Sequence, residues 1–446
     1  MLCPLDFRYG RPEMKAILSE ENRLKKLLAV EVALAEALAT VGQIPRDAAK
    51  FIASAAEGGL VKAERVAELE AEIKHDTMAM VLALSEASGD YGRYVHLGAT
   101  SSDITDTAAA LQLKEALPLL ETGLHRLQEA LLSLAQEHKD TVMVGRTHGQ
   151  AAIPLTFGMK MAVFALEVHR HLTRLREVSE RILVGKMSGA VGTGAAFGKD
   201  AMKIQDLVMV NLGLRAEEAA TQVVGRDRYA EYVAVLAGIA ASLERFATEV
   251  RNLQRTEIGE VAEAFGEKQV GSSTMGQKEN PITSENISGL ARIVRGFVGP
   301  AYENVILWHE RDLSNSSAER FILPHTTALV DDLLHKAAEV FETLRVRPDR
   351  MEENLRATGG LLMAEAIMMA LARRGMDRQE THELTRRLSR RAKAEGRPFR
   401  EVLLEDEAVA SHLGEEGVDE ALDPRNYLGA IGTIVDRVVA ICQESP

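Results

Sequence analysis

The densest chemistry in the chain lies in VGSSTMGQKENPITSEN, from Val270 to Asn286. Two serines, a lysine, an Asn-Pro pair and a glutamate share one stretch rich in small residues. Small residues around Gly271 let backbone N–H groups converge into an anion-binding nest, and Lys278 adds a full positive charge there. Pro281 suits the first position of a following helix, and Glu285 lies near that start. The composition predicts a mobile loop that closes over a carboxylate and sets a serine hydroxyl against it. A phosphate loop does not fit. Gln277 separates Gly276 from Lys278, Glu279 stands where a hydroxyl should bind magnesium, and the preceding residues read as a helix end instead of a strand.

Further polar stretches sit at the ends of predicted helices. KHD (Lys74 to Asp76) precedes one. VHLGATSSDITDT (Val95 to Thr107) opens a long one, with Ser102 or Asp103 as a cap and free N–H groups for an anion. VGRTHGQAAIP (Val144 to Pro154) reads as a loop between two long helices, exposing His148 enough to titrate; a lone histidine is more often structural than catalytic. WHERDLSNSSAER (Trp308 to Arg320) carries Arg311, Ser316 and Arg320 around a helix start. Two guanidiniums and a hydroxyl there suit a phosphate. A surface ion-pair network with Glu310, Asp312 and Glu319 fits the local sequence equally well. Metal ligation finds no support: there is no H-E-x-x-H, and His169 and His171 face different sides of a helix. GAVGTGAAFG (Gly189 to Gly198) lacks a preceding strand and reads as a tight turn, not a dinucleotide site.

Long helices must position these stretches. Ser19 is a plausible N-cap for a helix ending near Gly42. Long helical patterns follow over 103–139, with a possible kink at Pro118, and over 155–183, 228–263, 281–308 and 316–344. The fourth is expected to bend at Gly299-Pro300, and the fifth has Pro324 near its start. The stretch Val233 to Ala241 is apolar on every face, so it must be enclosed on all sides. Five helices from one chain barely do that, and helices from other subunits are expected to complete the bundle. Texture changes near His96 and Val346 divide the chain into an N-terminal helical domain (1–95), a central long-helix domain (96–345) and a small C-terminal helical domain (346–446).

Composition sets the outer bounds. Acidic residues number 66 and basic ones 53, a formal net charge of −13. That argues against a nucleic-acid or membrane-surface binder, which needs a basic face. Aromatics are only 4%, and the abundance of Ala, Leu, Glu and Arg favours an all-α fold. Cys3 and Cys442 indicate no disulfide framework, so a cytoplasmic location is the default expectation. The start, MLCPLDFRYGRPEM, lacks the features of a targeting peptide. The most apolar stretch, 231–244, is too short for the ~20 residues of a membrane span.

Together the motifs resemble the signature regions of the fumarase/aspartase superfamily. GATSSDITDTA, GRTHGQ and the double serine followed by Met, Lys and Asn-Pro stand in its usual order and separation. Within it the chain is most similar to the adenylosuccinate lyases, through FRYGRPEM, KHD, TQVVGRDRYAEY and YENVILWHERDLSNSSAERFILP. The similarity covers nearly the whole chain and is weakest after about residue 345. One departure stands out. The family usually has Met-Pro-His-Lys where this chain has Met275-Gly276-Gln277-Lys278, and Glu279 replaces a more usual basic or small residue. Glycine for proline should loosen the loop, which bears on loop closure and on the choice of substrate.

The resemblance implies an all-α, three-domain lyase with a central bundle of five long helices, assembled as a homotetramer whose sites draw on three subunits. It implies β-elimination of fumarate from adenylosuccinate to give AMP, and from the succinylated aminoimidazole carboxamide ribotide of purine biosynthesis. The alternatives are a sister lyase acting on another succinylated amine and a catalytically silent helical scaffold. Carried over by position, Ser272 is the general base and His148 the general acid. Lys278 and the loop amides stabilise the serine alkoxide and the developing dianion, and Glu285 orients Lys278 or His148. Arg8, Tyr9, Arg311, Ser316 and Arg320 hold the nucleotide and its phosphate. Lys74, His75 and Asp76 line the site, with His96 nearby. Thr100, Ser101 and Asn280 take succinyl carboxylates, Gln222 takes the base or a carboxylate, and Ser273 counts among the substrate-binding residues. No metal or organic cofactor is expected, because a proton moves and no electrons do.

Overall fold

The computed structural model describes residues 2–266 and 268–444. Helices dominate, as the composition predicts. Those that bear on the site are α1 (Glu20–Thr40), α2 (Asp76–Ala87), α3 (Ser101–Glu137), α4 (Phe157–Ile182), α5 (Asp227–Leu253), α6 (Ile282–Gly296) and α7 (Ser314–Glu342). One antiparallel hairpin, β1 (Val142–Thr147) and β2 (Gln150–Thr156), joins α3 to α4. Among the described residues the other strands are only two residues long.

Helix ends follow local chemistry. Ser19 caps α1, its Oγ accepting the Asn22 N–H at 3.2 Å. Pro118 and Pro324 lie inside α3 and α7 without ending them. Three expectations are corrected. The segment 144–154 is mostly strand: the hairpin pairs Thr147 with Gln150, leaving His148 and Gly149 as a two-residue tip. Both have positive φ, 56° and 74°, the backbone that the favoured two-residue hairpin turn requires. The predicted helix 281–308 is two helices, because Pro300 has no N–H to continue the ladder and its ring crowds the carbonyl of Gly296. The first ends at Gly296 and a short one, Val298–Glu303, follows. The helix expected to reach residue 263 ends at Leu253, ahead of Gly259 in the left-handed region (φ 65°).

The chain separates into two compact units. One comprises residues 1–124, 171–243 and 289–335; the other comprises 125–170, 244–288 and 336–446. The first has an aliphatic core in which Leu34 and Leu38 of α1, Leu84 of α2, Ile104 of α3 and Val208 are all essentially fully buried. Each such side chain contributes roughly 1.5–3 kcal/mol of burial. The second unit centres on Phe164, Phe246 and Phe341, the first two stacked at 4.3 Å and the third edge-on to both at 6.4 Å. A separate cluster around Phe399, Val402 and Val409 forms the core of the C-terminal helices.

Along α5, Val233, Leu236, Ala237, Ile239 and Ala240 are buried, Ala234, Val235 and Gly238 are half-buried, and Ala241 is exposed. The chain therefore covers most of this helix by itself. A stripe of small residues on one side stays partly open.

A buried ion pair braces the first unit. Lys186 and Asp103 are both 0% exposed, and Nζ of the lysine donates to Oδ1 of the aspartate. Asp103 also accepts the backbone N–H groups of Thr100 (2.8 Å), Ser188 (2.9 Å) and Gly189 (3.0 Å). Lys186→Ala strands that carboxylate in the core, and is expected to destabilise the fold by about 3–5 kcal/mol. Urea unfolding followed by circular dichroism measures this, and a shift under about 1 kcal/mol would show that water or another cation reaches Asp103.

Candidate active site

In the first unit, a cleft of about 530 Å³ collects residues from five segments far apart in the sequence. Lys74, His75 and Asp76 enter at the start of α2, Ser101 at the start of α3, and Arg311, Ser316 and Arg320 at and before the start of α7. Lys74 adopts a left-handed backbone that ends the preceding helix, and the Nδ1 of His75 accepts the Met78 N–H at 3.2 Å as the cap of α2. These turns fix where the side chains start.

The cleft arginines are not paired as their neighbours in sequence suggest. Arg320 donates to Asp76 Oδ2 at 2.7 Å, with Arg23 at 3.7 Å from the same oxygen. Burial pushes the Asp76 carboxyl up, but the Thr77 N–H and the two guanidiniums outweigh it and hold it below its ordinary value. Arg311 donates from Nη1 to Ser102 Oγ and to Gln222 Oε1, both at 3.0 Å, and its buried Nε has no partner among the described residues. Of the acidic residues beside them, Asp312 instead accepts the N–H groups of Trp308 and Ser314, both at 2.7 Å. Glu319 belongs to Arg226.

That last pair is part of a network that the sequence did not reveal. Arg226 is buried and donates to Asp106 (2.7 and 3.0 Å) and Glu319 (2.8 Å), while Asn315 donates to Glu319 at 2.9 Å. Burial pushes Glu319 up, and the two carboxylates hold Arg226 well above the usual guanidinium range although burial opposes this. All four residues line the cleft. A signal was available: Asp106 lies three residues after Asp103 on one helix face, and Arg226 sits inside TQVVGRDRYAEY.

Five other expected ligands, Arg8, Tyr9, His96, Thr100 and Gln222, lie in this unit but outside the cleft lining. Arg8 is exposed, with its guanidinium 5.9 Å from the Tyr9 ring centroid. Thr100 precedes α3, its N–H held by Asp103. His96, four residues earlier, pairs with Glu31.

The second unit holds the residues expected to do the chemistry. The loop after β-strand residues Val261 and Ala262 closes on itself. Asn280 Nδ2 donates to the Gly271 carbonyl at 2.7 Å, and a Cβ on Gly271 would lie 1.7 Å from the Lys278 carbonyl oxygen, so only glycine fits that crossing. Ser272 Oγ accepts the N–H groups of Thr274 (3.2 Å) and Met275 (3.1 Å). Loop amides thus point at the hydroxyl oxygen, where negative charge on that oxygen would be stabilised. Ser273, Gly276, Gln277 and Lys278 are exposed at the tip. The Glu279 carboxylate is ion-paired with Arg345, which also donates to the Glu263 carbonyl.

Glu263 is the second contributor the sequence did not reveal. Its buried carboxylate accepts the Thr283 and Ser284 N–H groups at 3.1 and 2.7 Å, capping α6 from twenty residues upstream. Glu285 lies exposed in the first turn of α6. His148 stands exposed at the hairpin tip, and Arg146 anchors the hairpin by a two-pronged bond to buried Glu260, both at 2.8 Å. None of the described hydrogen bonds joins His148 to Ser272, Lys278 or Glu285.

Among the described residues, no helix is long and apolar enough by itself to cross a membrane. Comparison with known proteins is decisive for kinship. Residues 6–296 match the family model described as Lyase, and residues 360–438 match the one described as Adenylosuccinate lyase C-terminus. The adenylosuccinate lyase of Pyrococcus abyssi is 51% identical over 99% of this chain and 98% of its own length. Among solved structures, the fumarate lyase from Mesorhizobium sp. BNC1 superposes with a TM-score of 0.91 at 37% identity, covering 97% of this chain and 98% of its own. The 3-carboxy-cis,cis-muconate lactonizing enzyme from Pseudomonas putida also gives 0.91, at 36% identity and 99% coverage of each chain. Full-length identity of this order, joined to a matching C-terminal domain, means that the chain is a lyase and belongs to the adenylosuccinate lyase family.

Proposed function

We propose that the protein eliminates fumarate from adenylosuccinate, leaving AMP, and acts in the same way on the succinylated aminoimidazole carboxamide ribotide. The observation that carries this reading is the cleft in which Arg311, Ser316 and Arg320 meet Lys74, His75, Asp76 and Ser101. A muconate, as named for the Pseudomonas putida neighbour, has no phosphate to occupy paired arginines. A nucleotide does, and bidentate guanidinium–phosphate contacts are strong and directional.

In the reaction, Ser272 Oγ removes a proton from the carbon beside a succinyl carboxylate. The electron pair left behind forms the double bond of fumarate as the C–N bond breaks. His148 donates a proton to the departing nitrogen. A free serine hydroxyl is a very weak base. The Thr274 and Met275 amides on its oxygen, with Lys278 on the same loop, support its ionised form once the loop closes and water leaves. Gln222, Thr100, Ser101, Ser273 and Asn280 serve the succinyl end and the base, and Glu285 orients Lys278 or His148. Arg8 and Tyr9 add to the nucleotide grip.

The active assembly in this reading is a homotetramer built from three-domain subunits, with base and acid supplied by different copies. Two features support it: the partly open stripe on α5, and exposed apolar residues such as Ile293 (54%) and Phe321 (62%) on α6 and α7. Incubation with adenylosuccinate, followed by chromatography for fumarate and AMP, tests the activity. Absence of both products from a protein shown by light scattering to be tetrameric would reject it.

Arg320 exchanges Asp76 for the phosphate in this reading. Arg320→Ala is expected to raise the KM for the nucleotide about 10–100-fold, with kcat within a few-fold of the parent. An unchanged KM would return Arg320 to a surface ion pair.

A further inference from the structure

His96 stands in the turn that leads into α3 with a left-handed backbone (φ 63°), and one carboxylate holds it twice. Glu31 lies on α1 and is 1% exposed. Its Oε2 accepts the His96 backbone N–H at 3.1 Å, and its Oε1 faces the ring Nδ1 at 2.6 Å. Asp103 holds the far end of the same turn through the Thr100 N–H, and is itself neutralised by Lys186.

We propose that Glu31 is a positioning residue for the elimination, holding the His96 ring and the backbone of its turn in one orientation beside Thr100 and Ser101. This rests on the reading above, in which that turn meets the succinyl end of the substrate. No Lys or Arg pairs with Glu31 among the described residues. A buried carboxylate without a cation is unfavourable, so Glu31 favours a protonated His96. Burial pushes the ring down, but Glu31 and, more weakly, Asp103 outweigh it, and His96 sits above the ordinary imidazole value. Those two carboxylates, one from α1 and one from α3, are the acidic groups that act on the ring; Lys186 offsets the second. With Nδ1 committed to Glu31, Nε2–H is the donor left for a substrate carboxylate.

The sign of the pH effect follows. In the parent protein the imidazolium persists to higher pH than in an ordinary histidine and is lost as pH rises through its raised pKa. In Glu31→Gln, burial acts without the carboxylate, and the charge is lost at lower pH. We expect the KM of Glu31→Gln to exceed that of the parent about tenfold in the interval between the two His96 titrations and to approach it below and above that interval, with kcat changing less than KM. Glu31→Asp keeps the charge and is expected to retain the parent's pH profile in part. Independently, the ¹⁵N-histidine NMR signal of His96, assigned with His96→Asn, is expected to titrate at lower pH in Glu31→Gln. A KM ratio that does not vary with pH, or a His96 titration that does not move, would overturn the proposal. If the parent releases no fumarate, the functional reading fails and takes the catalytic part of this proposal with it. The NMR titration still decides whether Glu31 controls His96.

Discussion

Ser272→Ala is expected to lower fumarate release from adenylosuccinate by about 10³-fold or more while leaving AMP affinity nearly unchanged. The reasoning is geometric. Ser272 Oγ is the point on which the Thr274 and Met275 amides converge, and no other loop hydroxyl accepts two backbone donors among the described residues. Removing it takes away the base and leaves the two amides facing solvent, which an exposed loop tolerates. Arg311 and Arg320, proposed to hold the nucleotide phosphate, belong to α7 and the segment before it, so binding and chemistry should separate. Single-turnover kinetics with calorimetric titration of AMP makes the separation visible. Near-parental turnover would rule Ser272 out as base and turn attention to another loop group.

His148→Ala is expected to cost about 10²–10⁴-fold in turnover, the usual contribution of a positioned general acid, with the assembly intact. The tip it occupies is exposed, and the anchor of the hairpin is Arg146 on Glu260, so substitution at the tip leaves the hairpin standing. Mixing supplies a sharper test. In the proposed tetramer, the His148 and Ser272 of one site come from two different copies. Ser272→Ala and His148→Ala, each inactive alone, are then expected to regain activity when their subunits are mixed and allowed to exchange. Confirmed exchange without activity would place both groups on one copy. Loss of the proposed tetramer in His148→Ala would make the histidine structural.

Gly276 and Gln277, which depart from the family's usual Pro-His, stand exposed at the loop tip without close neighbours at Gly276. Glu279, the other departure, ties the end of the loop to Arg345. A loop loosened at its tip is thereby fastened at its base.

The sequence by itself determined the all-α class and the cap at Ser19, and it marked the stretches proposed to carry the chemistry. These depend on spacing within a few turns and on the local chemistry of Ser, Asp, Gly and Pro, which act on their immediate neighbours. The cleft was legible only as separate pieces. Whether Arg311 and Arg320 served a phosphate or a local ion-pair network stayed undecided, since partners within reach in sequence existed for both. Tertiary structure decided their partners, giving Arg320 to Asp76, Glu319 to Arg226 and His96 to Glu31. It also decided that 144–154 forms a hairpin, through the bond from Arg146 to Glu260, and that Glu263 caps α6. The physical reason is common to all of these. A charged group takes whichever partner packing brings within hydrogen-bond reach, and packing of distant segments leaves no periodic trace along the chain.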